Sequence, residues 1–157
     1  MDFFDKNFFD NDGVLLKRIR KFVSPINQIM ILFKDEHELG MGGPLIGKTA
    51  LLLENRVLIV LEGLFSEEVL WQTNGQYVAL AKWSNSSGRH NNHKVCIIDI
   101  QSLQIGEFED LMFVKRFTQF KDDTIECEYY EKQQSTRVFV GKVKDLRFKS
   151  LRKKNAA

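Results

Sequence analysis

The sequence predicts a mainly β protein, an antiparallel twisted meander or sandwich of about ten strands built from three blade-like repeats, with a short N-terminal helix. Three observations lead there. Short apolar runs rich in Val, Ile, Leu and Phe recur along the 157 residues, and polar turns separate them every 8–12 residues or so, the spacing of antiparallel strands. Both prolines, Pro25 and Pro44, fall in connections, where a missing amide donor breaks no ladder. Finally, a unit of turn, strand, loop, strand, turn and strand recurs along the chain.

The elements follow in order. Phe4 and Phe8 are spaced for one face of a short helix, and DNDG closes it. Candidate strands are then VLLKRIRKFV, IMILF, KTALLLE, RVLIVLE, EEVLWQ, YVALAKW, KVCIIDI, LQIGEFE, MFVKRFTQF, TIECEYYE and RVFVGKVKDL. MILFK (Met30 to Lys34) recurs as VALAK (Val78 to Lys82), each after a turn ending in Gln, and KTALLLE recurs as KVCIIDI. A third copy runs FKDDTIECEYY and then TRVFVGKV. About 46 residues separate Lys48 from Lys94, a period that belongs to blade-like β units, and three of them cannot close a propeller, so an open arc or a sandwich is expected.

The chain is long enough to bury a core without staples, and 1–157 reads as one domain. Residues 1–13 form an acidic N-terminal segment, 14–150 the β domain and 151–157 a basic flexible tail. A formal net charge of +2 is too small to announce a nucleic-acid binder. Charge is nonetheless segregated: acids crowd the stretch from Glu107 to Glu131, and KVKDLRFKSLRKK is strongly basic. Neither a signal peptide nor 18 uninterrupted apolar residues occur. With two cysteines placed inside strands, the expectation is a cytoplasmic protein with reduced, buried thiols.

GGPLIGKT, Gly42 to Thr49, spells the phosphate-loop pattern G-x-x-x-x-G-K-[ST]. That loop works when a strand delivers the chain into the glycine turn and a helix starts at the lysine, aiming its amides at the anion. Here the acidic KDEHELGM intervenes after IMILF, and the lysine is followed by TALLLENRVLIV, a hairpin pattern. Lys48 is therefore expected to lie on a strand. A nucleotide-binding protein using Gly42 to Thr49 stands as an alternative, beside a β adaptor that binds protein or nucleic acid through its basic tail.

No catalytic constellation emerges. His90 and His93 form H-x-x-H beside Arg89 in the loop SNSSGRHNNH, but no cysteine or acid completes a zinc ligand set. His37 stands among acids in DEHE, as an exposed polar turn would place it. No G-x-S-x-G occurs, and Glu126 with Glu128 share one strand face instead of facing each other across a cleft. Neither a cofactor nor a metal is called for.

WQTNGQYVALAKW followed by KVCIIDIQSLQIGEF resembles the blade hairpin of β-propeller repeats. Together with GMGGPLIG-x-x-x-L-L-L before it, the stretch from Glu36 to Gly106 resembles small bacterial immunity proteins, the partners of secreted interbacterial toxins. The resemblance implies a non-enzymatic protein that binds a cognate toxin in the cytoplasm and occludes its active site. It implies no binding residues. Those expected from the residues themselves are Trp83, Arg89, His90, His93, Glu126, Glu128 and Glu131: an aromatic anchor, a polar loop and an acidic stripe suited to a basic groove.

Overall fold

The computed structural model describes residues 5–38, 45–84, 92–132 and 135–151. Among them lie twelve strands in antiparallel sheets and one 3-10 turn. No helix is long and apolar enough to cross a membrane among the described residues. Where the sequence reads as one domain, the contacts cluster into two compact units, Met1–Glu67 and Glu68–Ala157.

The first unit holds β1 (Ile19–Val23), β2 (Met30–Glu38), β3 (Leu45–Leu52), β4 (Leu58–Val60) and the start of β5 (Phe65–Trp71). β1, β2 and β3 are neighbours in that order, and β4 also pairs with β3. Three consecutive β2 residues, Ile31, Leu32 and Phe33, are fully buried, so this strand is covered on both faces. Leu32 belongs to a cluster with Phe8, Phe9, Ile19 and Ala50.

That cluster corrects the expectation of an N-terminal helix. Phe8 and Phe9 are both buried, but on a single turn in which their amides donate to the Asp5 carbonyl, each at 2.9 Å. The Asp5 carboxylate accepts the Asn7 amide, and the Asp10 carboxylate accepts those of Asp12 and Val14. Short acidic side chains thus offer the backbone a turn in place of a helix. Phe9 then bridges Leu15, and the strand expected from Val14 onward begins at Ile19.

β3 carries Lys48 in an extended conformation, opposite Lys34 of β2. Where a phosphate loop has a helix after its lysine, this chain has a strand, as the sequence predicts for Lys48. Gly47 shows why glycine stands at that point. A Cβ there would collide with the Lys34 carbonyl and come 2.8 Å from Phe33 Cε2. Its role is to let two strands approach, not to cradle an anion. Of this stretch, residues 42–44 lie outside the described residues.

The second unit runs from the end of β5 through β6 (Tyr77–Ser84), β7 (Asn92–Asp99), β8 (Gln104–Glu107) and β12 (Phe148–Ser150), in that order of neighbours. β9 (Phe113–Lys121), β10 (Thr124–Lys132) and β11 (Ser135–Lys142) form a separate sheet with β10 central. Ala79, Ala81, Val95 and Ile97 pack with Val114, Phe120, Ile125 and Cys127 in one core, the face-to-face burial of a sandwich. The stretch KVKDL, expected to continue a strand, turns as a 3-10 helix at Val143–Asp145. β12 follows inside the basic segment, where no strand is expected.

The repeat is partly visible. Hairpins β2–β3 and β6–β7 share a register, with Lys34 opposite Lys48 and Lys82 opposite Lys94. The third hairpin, β10–β11, has no such lysine pair, and β12 joins β8 and not β11. The pairing does not resolve into three separate blades.

Candidate interaction surface

The outer sheet β9–β10–β11 assembles the residues most suited to recognition. On β10, Ile125 and Cys127 are fully buried, so the alternating Glu126 and Glu128 stand together on the opposite face. Glu128 is held by Arg116 at 3.0 Å and Lys115 at 3.9 Å. Glu131 pairs with Arg137, and it falls where the β10–β11 register shifts between Tyr130 and Lys132. Glu126 makes no ion pair among the described residues. The expected acidic stripe is therefore largely neutralised, leaving one half-buried carboxylate for a partner.

An apolar feature missing from the sequence reading lies beside it. Val138 and Val140 of β11 sit opposite Glu128 and Glu126, with 59% and 55% of their surface exposed. Among the described residues, β11 has a sheet neighbour on one side only. An eight-residue edge with two exposed β-branched residues is what natural sheets usually blunt with charge or proline. Arg137 and Lys142 flank the valines without interrupting them.

A chain of rings runs from this sheet toward β6. Tyr130 meets Phe113 at 5.3 Å, Phe113 meets His93 at 5.5 Å and His93 meets Trp83 at 6.0 Å, all edge to face. Lys115 Nζ lies 5.7 Å from the Tyr130 ring centre. Trp83, His93 and Glu128, three of the expected contacts, are thereby linked through Phe113 and Tyr130.

His93 corrects the loop expectation. It belongs to β7 and is 1% exposed. Its Nδ1 accepts the Val114 amide at 3.1 Å, while its backbone exchanges two hydrogen bonds with Met112. Burial pushes its pKa down to about 4, so the ring is neutral and structural, off the surface that a partner would touch. Arg89 and His90 lie outside the described residues, as do the side chain of His37 and residues 152–157 of the expected basic tail.

Both thiols are free and buried. Burial pushes the Cys96 thiol far up, and that of Cys127 to about 12, so neither supplies a thiolate nucleophile at neutral pH. No group of three or more His, Cys, Asp or Glu is placed to hold a metal ion among the described residues. Comparisons of the chain with protein-family models, curated proteins and solved structures found no match.

Proposed function

We propose that this chain is a non-enzymatic recognition module of the immunity-protein kind, which binds a cognate toxin in the cytoplasm and occludes its active site. The observation that carries the reading is the exposed edge strand β11, with Val138 and Val140 presented beside Glu126. A free edge accepts an extended partner segment through main-chain hydrogen bonds, and alternate side chains give that pairing its specificity. The partner segment places apolar residues on the two valines and a cation on the Glu126 carboxylate, as a toxin with a basic substrate groove would.

The ring chain from Trp83 ends at Tyr130, beside Lys115 and its partner Glu128. Rings locked edge to face are ordered before binding, so little side-chain entropy is lost when a partner docks. Glu131 holds Arg137 beside the valines, and Glu128 holds Arg116 and Lys115 on the β9 side of the sheet. Exposed pairs of this kind add little stability, and their use is to keep the surface charge balanced around the apolar strip.

Co-expression with the product of the neighbouring gene tests the reading. The expected outcome is that the intact chain restores growth to cells making that product, and that a Val138→Lys, Val140→Lys variant does not. Growth arrest that the intact chain fails to relieve, or equal protection by the variant, would count against it.

A further inference from the structure

The likeness of hairpins β2–β3 and β6–β7 extends to the strand that follows each. Lys34 stands opposite Lys48, as Lys82 stands opposite Lys94. Two residues beyond the second lysine come Ala50 in one hairpin and Cys96 in the other. The next strand meets both alike: Ala50 is opposite Val60 of β4, and Cys96 is opposite Glu107 of β8. The match holds one residue further. The Leu61 amide donates to the Thr49 carbonyl at 2.9 Å, and the Phe108 amide to the Val95 carbonyl at 3.0 Å. Val60 and Glu107 are therefore equivalent positions, each on the sheet face that carries its lysine pair.

The two sets differ in charge. In the second hairpin Glu107 holds Lys82 at 3.0 Å, so a carboxylate answers the lysine pair. In the first hairpin Val60 stands where that carboxylate would be, 41% exposed. Lys34 Nζ donates to the neutral Asn7 Oδ1 at 3.2 Å. Neither Lys34 nor Lys48 makes an ion pair among the described residues, and neither do the neighbouring acids Asp5, Asp35 and Glu62. Both lysines are half-buried. They stand two residues from Leu32 and Ala50, at the margin of a buried cluster, where an opposite charge counts for more than in open water. Like charges directly opposite on a sheet are unfavourable, and the second hairpin shows what relieves them.

We propose that Lys34 and Lys48 together bind a carboxylate supplied from outside the chain, which takes the place that Glu107 holds in the second hairpin and lays its apolar stem on Val60. The two ammonium groups each donate to one carboxylate, and such charge-assisted bonds are stronger than neutral ones. The site does not depend on recognition through β11, and either assignment stands or falls without the other.

Amide and methyl NMR titrations of the full chain test the site at constant ionic strength. Butyrate serves as a free carboxylate, acetyl-Gly-Glu-Gly-amide as a side-chain carboxylate, and the same peptide with Gln as the uncharged control. Saturable shifts are expected at Lys34, Lys48, Ala50 and Val60, and none with the Gln peptide. Tighter binding of the Glu peptide assigns the carboxylate to an acidic residue of a partner chain, and tighter binding of butyrate to a small molecule. Lys34→Met and Lys48→Met should each weaken binding about tenfold, the loss of one charge-assisted contact. Val60→Glu supplies the carboxylate from within. It should abolish the response and raise the denaturant midpoint at low salt, a rise that shrinks at high salt, while Val60→Gln should keep the response. Val60 is exposed, so both variants fold, and their midpoints verify it. No saturable shift at the two lysines, an equal response to the Gln peptide, or undiminished binding in folded Val60→Glu would overturn the assignment.

Discussion

The Nδ1 atom of His93 accepts the backbone N–H of Val114 at 3.1 Å, tying β7 to β9 through a side chain that has almost no contact with water. Sequence neighbours make His93 look like part of a polar loop. Its position opposite Trp83 in the β6–β7 register turns it inward.

Acid should therefore unfold the protein partly through this one ring. The native pKa of about 4 lies below the ordinary value of 6.5, so between those values the unfolded chain binds a proton that the native state does not. The contribution is fully present above pH 6.5 and is lost as pH falls toward 4. From pH 7 to 4.5 this amounts to about 2–3 kcal/mol. His93→Phe, lodged between the rings of Trp83 and Phe113, leaves the Val114 amide unpaired at a cost of about 1–3 kcal/mol at pH 7. Urea unfolding at both pH values should show a decline in the variant smaller by about 2 kcal/mol.

Substitutions along β3 separate a strand from a phosphate loop. Gly47→Ala drives a methyl into the Lys34 carbonyl and should cost about 3 kcal/mol or more. Thr49 is fully buried, and its hydroxyl finds no hydrogen-bond partner among the described residues. Thr49→Val should therefore stabilise by about 1 kcal/mol. Lys48→Ala relieves a like-charge pair with Lys34 and should be neutral or stabilising by a few tenths of a kcal/mol, up to about 0.5. Denaturant midpoints for the three variants check the signs.

The thiols should report on unfolding. Cys96 and Cys127 are fully buried with raised pKa values, so alkylation at pH 8 should be slow in the native protein and complete in denaturant. Rapid labelling of either residue without denaturant would show that its burial is wrong.

How much of this was legible beforehand follows from what each residue's neighbours in sequence can signal. The runs that became β2, β3, β6, β7 and β10 are apolar, β-rich and bounded by turn residues, and such local signals suffice to place strands. The N-terminal turn was not legible, because Phe4 and Phe8 carry helical spacing while the deciding contacts are side-chain hydrogen bonds of Asp5 and Asp10. His93 was misplaced because Arg89, His90 and Asn91 signal a loop, and only cross-strand register reveals its burial. β11 is apolar on both faces: Phe139 packs on Phe108 at 5.3 Å, whereas Val138 and Val140 face outward. Alternation alone cannot tell which face is covered, so the surface proposed for recognition had no separate signature.

Calorimetric titration of the product of the neighbouring gene into the intact chain, and into the Val138→Lys, Val140→Lys variant, probes the proposed surface at its centre. A saturable one-to-one isotherm is expected for the intact chain. Affinity should drop about a hundredfold or more in the variant, the loss of two central apolar contacts, while its denaturant midpoint stays unchanged because both side chains are exposed. Absence of binding heat, or equal affinity in the variant, would contradict recognition through β11.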